Sequence, residues 1–251
     1  MSRLHFIINP ASGGGHGARL AQGLATLLGT SQVAILGRCD LIAEVAALGP
    51  DDAAIACGGD GTASAVAEVI AARGGRGPAL GMVPLGTGND LARVLGWSQW
   101  RQKDLPGLVA SLRVAGRRQF DRWRLDGPGC RRSWCNYLSI GIDAAVAYHF
   151  HHLRLRHPGI ARGGNINRGI YALLGAQQRA VDLHRLVRLT DGLALPRWAS
   201  GLVLCNIPSY AGGVTLARGM RVDDGHLEAL VMGHGLSLGL VTARLRRPRL
   251  L

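Results

Sequence analysis

Lysine is almost missing from this 251-residue chain: Lys103 is its only one, so nearly all of the 29 basic residues, set against 16 acidic ones, are arginine. That scarcity excludes two ways of holding a nucleoside triphosphate. P-loop kinases keep a lysine inside their glycine loop, and protein kinases keep one on a strand above the phosphates. Lys103 follows Trp100-Arg101 and fits neither setting. Any nucleotide bound here must be held by backbone amides, hydroxyls, arginine and metal. Aromatic residues are scarce as well, at 5%. With no stacking platform and no binding motif, nucleic acid is not an expected partner, although the formal charge is +13. The charge suits an anionic membrane or a phosphorylated substrate, and an arginine bias from a GC-rich genome accounts for it equally well.

Long apolar runs are absent too, so no segment has the length of a membrane span. Contact with lipid would come from the water side. Met1 to Ile8 reads as the beginning of a strand and is too short for a signal peptide. The five cysteines, Cys39, Cys57, Cys130, Cys135 and Cys205, are odd in number and form no CxxC pair. A reduced, cytoplasmic protein is the expectation.

Glycine is plentiful, with 37 residues. Two glycine-rich stretches stand out, Cys57-Gly58-Gly59-Asp60-Gly61-Thr62 and Pro84-Leu85-Gly86-Thr87-Gly88-Asn89-Asp90. Each follows a short apolar run that reads as a buried parallel strand (Ala53 to Ala56, Ala79 to Val83), and each precedes a helical pattern. Glycine there lets backbone N–H groups and a helix N-terminus approach an anion closely. Two such loops at adjacent strand ends predict one composite phosphate site. Asp60, at a strand end, can serve through an intervening Mg²⁺ or by orienting an attacking hydroxyl; its dull alternative is to cap the helix that begins at Thr62.

The first part alternates strand and helix: strands at Leu4 to Ile8, Val33 to Leu36, Ala53 to Ala56 and Ala79 to Val83, helices at Ala18 to Leu28, Leu41 to Leu48, Thr62 to about Arg73, and Asp90 to Leu95. After Arg117 strands dominate, at Phe120 to Leu125, Ser133 to Ile140, Leu186 to Thr190, Gly201 to Cys205 and Leu227 to Met232, with one long helix at Ala144 to Arg156. The expected fold class is α/β: an N-terminal α/β sandwich-like domain over 1–115, then a β-rich domain over 116–251. Gly13 to Ala18 with Asp40 loosely matches a dinucleotide fingerprint, but the match is degenerate. His149, His151, His152 and His157 crowd one helix without a carboxylate or cysteine to complete a metal site, so an exposed basic helix is expected. Asp223-Asp224-Gly225 reads as a hairpin turn.

Asn9-Pro10-Ala11-Ser12-Gly13, Gly58 to Thr62 and Pro84 to Arg93 resemble the catalytic domain of diacylglycerol kinases. In the second half, Asp121-Arg122-Trp123, Asn136 to Ala144, Phe150-His151 with Arg154 and His157-Pro158, Asn206 to Gly213 and Asp223 to Glu228 resemble the accessory domain of the eukaryotic-type enzymes. The resemblance covers almost the whole chain in order. It implies a first domain with a sheet like those of phosphofructokinase and NAD kinase, and transfer of the γ-phosphate of ATP, with Mg²⁺, to diacylglycerol. By the same resemblance Asn9, Ser12, Gly13, Gly58, Gly59, Gly61, Thr62, Gly86, Thr87, Gly88 and Asn89 line the ATP site. Asp60 is then the catalytic carboxylate and a metal ligand, and Asp224 a ligand of a structural metal. A peripheral contact with anionic membrane is implied through basic stretches, Arg244 to Arg249 or the helix around Arg154 and Arg156. Nothing after Asp224-Gly225 matches the Val-Asp-Gly-Glu-like segment of relatives, so the accessory domain is expected to be incomplete at its C-terminal end. The alternatives are a catalytically impaired module binding nucleotide or anionic lipid, and a kinase acting on sphingoid or ceramide lipid or on NAD.

Overall fold

A computed structural model describes residues 3–86, 88–97, 104–157, 164–187, 194–216 and 219–233. The chain packs as two compact units, Met1–Cys135 and Asn136–Leu251. In the first, β1 (Leu4–Ile8), α1 (His16–Leu28), β2 (Val33–Ile35), α2 (Leu41–Ala46), β3 (Ala53–Gly58), α3 (Asp60–Ala72) and β4 (Ala79–Pro84) alternate, followed by α4 (Asp90–Val94) and α5 (Leu105–Val114). The strands form a parallel sheet in the order β2-β1-β3-β4.

Both faces of this sheet are buried, as parallel pairing demands. Successive side chains point to opposite faces, so Leu4, Phe6, Ile8, Ile55, Cys57 and Val83 meet Leu20 and Leu24 of α1 and Leu108 and Leu112 of α5. Ile7, Ala54, Ala56 and Met82 meet Val45 of α2, Val66 of α3 and Leu91 of α4 on the other face. That two-sided burial explains why the strands read as continuous apolar runs. The helix α5 goes beyond the sequence expectation. Its start signals are Asp104, whose carboxylate accepts from the Gly107 N–H at 2.8 Å, and a proline in its first turn.

Strand order places the loops. The chain steps from β1 out to β2, then returns past β1 to β3, so the order reverses between β1 and β3. In open α/β sheets ligands bind beyond the carboxyl ends of the strands at such a switch point. The pairings Ile8↔Cys57 and Gly58↔Pro84 bring the carboxyl ends of β1, β3 and β4 side by side.

The expected single strand Ser133 to Ile140 is two strands. The antiparallel pair β5 (Trp123–Gly127) and β6 (Cys130–Trp134) closes the first unit, and β7 (Tyr137–Gly141) opens the second. In the second unit follow α6 (Ile142–Arg156), α7 (Gly164–Gln177), α8 (Leu183–Leu186), β8 (Gly201–Cys205), β9 (Ser209–Tyr210), β10 (Val214–Thr215) and β11 (Glu228–Met232). Its main sheet is antiparallel in the order β11-β8-β7. Because β11 pairs with β8, the segment Asp223-Asp224-Gly225 is no hairpin turn. Leu186, expected in a strand, ends α8, and 188–190 lie outside the described residues.

A buried carboxylate ties this unit together. Asp143, in the first turn of α6, is 2% exposed. It accepts hydrogen bonds from Tyr210 Oη at 2.7 Å, from Tyr171 Oη at 3.1 Å and from the Ser139 hydroxyl, linking β9, α7 and β7 to α6. Burial raises its carboxyl above the usual range, and the three donors oppose the rise. A carboxyl raised in the folded state stabilises fully below the unfolded-state value, and that contribution is lost as pH climbs through the raised value. Thermal melts should therefore fall as pH rises out of the ordinary carboxylate range, and Asp143→Asn should flatten that fall. Tyr210→Phe removes one donor and should cost about 1–2 kcal/mol in urea unfolding.

Candidate active site

Three loops leave the sheet at its carboxyl edge and interlock through glycine. The loop after β1 carries Gly13, Gly14 and Gly15 at φ of +64°, +64° and +95°, which turn the chain straight into α1 at His16, ahead of the expected Ala18. A Cβ on Gly13 would lie 2.8 Å from the Leu85 carbonyl oxygen, so the first and third loops touch backbone to backbone. The third loop approaches the second as tightly: a Cβ on Gly86 would sit 2.8 Å from the Gly59 Cα. The Leu85 N–H donates to the Gly58 carbonyl at 2.8 Å and the Gly86 N–H to the same oxygen at 3.3 Å.

Polar side chains pin the three loops together. The Asn9 Nδ2 donates to Thr62 Oγ1 at 3.4 Å, and its Oδ1 accepts from the Ala11 N–H at 3.1 Å. Ser12 is half-buried in the same loop and donates its backbone N–H to the Asn9 carbonyl at 3.2 Å. Asn89 takes the left-handed conformation with φ of 49°, and its Nδ2 bonds the Gly86 carbonyl. Its Oδ1 is buried without a hydrogen-bond partner, an acceptor held within the loops. Gly61 is exposed in the first turn of α3, and an added Cβ there would meet nothing within 4 Å.

Asp60 sits between the second and third loops. Its Oδ2 accepts the Asp90 N–H at 2.9 Å and its Oδ1 the Leu91 N–H at 3.1 Å. The helix it caps is therefore α4, 30 residues on, and not the helix beginning beside it, whose N-cap is Gly59. Burial raises the Asp60 carboxyl; the two amides and Arg93 pull it down, and Asp90 pushes it up. Asp90 is itself buried, 1% exposed, with Arg93 Nη1 at 3.1 Å from its Oδ1. Two neighbouring carboxylates, one of them raised, are a mark of a functional site.

Asp90 ends the second glycine-rich stretch, where the sequence leaves it open between a turn or N-cap residue and, with Thr87 and Asn89, a nucleotide contact. Its burial follows from its place in the first turn of α4, and the Arg93 partner was legible as an i,i+3 pair. Thr87 lies outside the described residues, as do Arg244 to Arg249. Gly88 is half-buried, and its carbonyl accepts from Arg93. Asp40 caps α2 through the Ile42 and Ala43 N–H groups, well past the end of β2, so it is not the strand-end acid of a dinucleotide fold. In the second unit Asp224 Oδ1 accepts the His226 N–H at 3.1 Å. Among the described residues no group of three His, Cys, Asp or Glu side chains is arranged to hold a metal ion.

A family model for the diacylglycerol kinase catalytic domain matches residues 3–121, and one for the diacylglycerol kinase accessory domain matches residues 133–251. The chain belongs to the diacylglycerol kinase family. Diacylglycerol kinase 2 of Arabidopsis thaliana is 33% identical over 94% of this chain and 37% of its own length. Human diacylglycerol kinase theta is 31% identical over 95% of this chain and 29% of its own. The chain thus spans about a third of the length of these curated relatives. A diacylglycerol kinase structure from Bacillus anthracis str. Sterne superposes with a TM-score of 0.57 at 19% identity, over 97% of this chain and 77% of that one. All three glycine-lined loops fall within the match to the family's catalytic domain.

Proposed function

We propose that this chain is an ATP- and Mg²⁺-dependent lipid kinase that moves the γ-phosphate of ATP to the free hydroxyl of diacylglycerol, giving phosphatidate and ADP. The observation that carries the reading is the meeting of three glycine-lined loops at the sheet's switch point, with a half-buried carboxylate between two of them. In the reaction the lipid oxygen loses its proton and bonds to Pγ as the bond to the β-phosphate oxygen breaks. There is little covalent work for the protein in such a transfer. Positioning and charge stabilisation dominate.

Asn9, Ser12, Gly13, Gly58, Gly59, Gly61, Thr62, Gly86, Thr87, Gly88 and Asn89 are proposed to cradle ATP with backbone amides and hydroxyls. This fits a chain whose one lysine, Lys103, lies in none of these loops. Asp60 is proposed as the group that takes the lipid proton, a task to which a raised carboxyl is suited. The donor set also fits Mg²⁺. Two of the carboxylate's lone-pair positions accept amides, the others remain, and Asp90 supplies a second hard oxygen donor. When bound, Mg²⁺ would offset charge on the phosphate oxygens. Asp224 is proposed to hold a second, structural metal. Support comes from Glu228, whose carboxyl is raised mainly by burial and further by Asp224, and whose Oε2 is buried without a partner.

The proposed division is a catalytic domain over 1–115 and an accessory domain over 116–251. A peripheral position on a cytoplasmic membrane surface is proposed as well; among the described residues no helix is long and apolar enough to cross a bilayer. Transfer of labelled phosphate from ATP to diacylglycerol in mixed micelles, with ceramide, sphingosine and NAD as competing acceptors, tests the reading. Diacylglycerol should be strongly preferred, and nucleotide-dependent stabilisation with no turnover on any acceptor would overturn it. Gly61→Ala sharpens the test. Alanine is favoured over glycine in a helix by up to about 1 kcal/mol, so the variant should melt no lower than the parent. It should nevertheless bind ATP more weakly, because the methyl group fills space through which the backbone would reach the phosphates.

A further inference from the structure

Within the second unit, α6 and α7 enclose an open groove of about 570 Å³. His149, His152, Arg156 and His157 line one side and Gln177 and Gln178 the other. Each of these side chains offers an N–H donor, and no carboxylate lines the groove. The sequence is one-sided over a longer stretch: from Ala144 to Val181 it holds five arginines and no aspartate or glutamate. These imidazoles form no metal-binding group among the described residues. A wall of donors without an opposing negative charge takes an anion.

Exposed apolar side chains on the same two helices identify the kind of anion. Tyr148 and Leu155, seven residues apart on α6, are 62% and 64% exposed. Ile166 and Leu173, seven apart on α7, are 55% and 60% exposed. Seven residues is two helical turns, so each pair forms a stripe along one helix face. Tyr148 itself lines the groove, its ring 4.3 Å from that of His152. Leu173 stands one turn before Gln177. Water gains nothing from such stripes, and neither would a nucleic acid backbone. A bilayer interface accepts large apolar side chains beside cationic ones.

We propose that the α6–α7 groove seats the phosphate of an anionic phospholipid at a bilayer surface, with Tyr148, Leu155, Ile166 and Leu173 entering the interface on either side. The inference rests on the lipid-kinase reading for its choice of a bilayer among polyanions. It assigns the membrane contact to a defined groove, in which Arg156 supplies charge and the histidines and glutamines supply donors.

The test is co-sedimentation of the full chain, without ATP, with vesicles of phosphatidylcholine alone and of phosphatidylcholine mixed with phosphatidylglycerol or phosphatidate. The protein should pellet with the anionic vesicles and remain in solution with the zwitterionic ones. Arg156→Ala should weaken partitioning about fivefold at low salt, and less at high salt where charge is screened. Leu155→Ser with Leu173→Ser should weaken it about tenfold or more at both salt concentrations, since burial of apolar area is not screened. Arg124→Ala, at an exposed arginine of the β5–β6 pair, should change nothing. All the substituted residues are surface residues, and matching thermal melts would confirm intact folding. Equal binding to zwitterionic and anionic vesicles, or partitioning unaffected by Arg156→Ala and the leucine pair, overturns the inference. Duplex DNA that displaces the protein from vesicles, with the leucine variants no weaker than the parent, overturns it in favour of a nucleic acid. Phosphorylation of a short-chain, water-dispersed diacylglycerol is measured alongside. Turnover there with failed vesicle binding defeats this inference alone, whereas vesicle binding without turnover on any acceptor defeats the kinase reading.

Discussion

Asp60→Asn should lower phosphate transfer from ATP to diacylglycerol by about 10²–10⁴-fold, the usual contribution of a positioned acid–base group, and barely change the melting temperature. The two expectations separate because the Asp60 carboxylate has one task in the fold and, in the function proposed above, a second in the chemistry. One is local: its oxygens satisfy the Asp90 and Leu91 N–H groups at the start of α4. Asparagine keeps one carbonyl oxygen for that cap, and shedding a partly desolvated charge offsets part of what is lost, since desolvation already raises this carboxyl. The other task is chemical, and an amide can neither accept a proton from the lipid nor bring negative charge to a cation. Asp60→Ala forfeits both. It leaves two amides without their acceptor and should cost about 1–2 kcal/mol of stability besides the activity. Measured side by side, transfer rates and urea midpoints should place Asn with Ala in activity and with the parent in stability. An Asn variant as active as the parent would restrict Asp60 to its capping role.

Gly86→Ala should damage stability and nucleotide affinity together through a single methyl group. A Cβ there would come within 2.8 Å of both the Gly59 Cα and the Asn89 Oδ1. The first obstacle is backbone, and the second is a side chain already bonded to the Gly86 carbonyl. Neither can yield unless the loops move apart. Overpacking of this kind typically costs about 1–3 kcal/mol, and the separated loops should lose ATP affinity by tenfold or more. Calorimetric titration of ATP together with thermal melting checks both parts. The contrast with Gly61→Ala is the instructive one: at Gly86 two loops touch, whereas at Gly61 the space is open and is proposed to admit the ligand. Retained affinity in Gly86→Ala would mean that the second and third loops act separately.

The catalytic half was largely legible in the sequence. Ile55-Ala56-Cys57 and Met82-Val83 read as strands because burial on both faces leaves continuous apolar runs, and the adjoining glycine clusters marked where those strands end. Helix starts shifted by about two residues, at His16 and Asp60, because left-handed glycines or an extended Gly59 let the helix begin inside the loop. The strand-rich half was less legible. Ser133 to Ile140 is rich in strand formers apart from Asn136, near which it breaks, and its two halves take different partners: β6 pairs with β5 and β7 with the distant β8. The start of α7, Gly164-Asn165-Ile166-Asn167, carries little helix propensity, and that helix is supported by tertiary contacts such as Phe150 against Tyr171 at 5.6 Å.

By itself the sequence determined the α/β class, the positions of the glycine loops and the acid within the first glycine-rich stretch, and the lack of a lysine in either stretch. These follow from properties a residue carries with it: side-chain period, freedom of φ and charge. Tertiary structure alone decided which amides the Asp60 carboxylate reaches, that Asp90 is buried beside it, and that β11 pairs with β8. It also decided that the basic turns of α6 face the end of α7 across a groove. Each of these joins groups far apart in the chain, and the strand order and helix packing that bring them together are properties of the whole fold, with no local pattern to announce them.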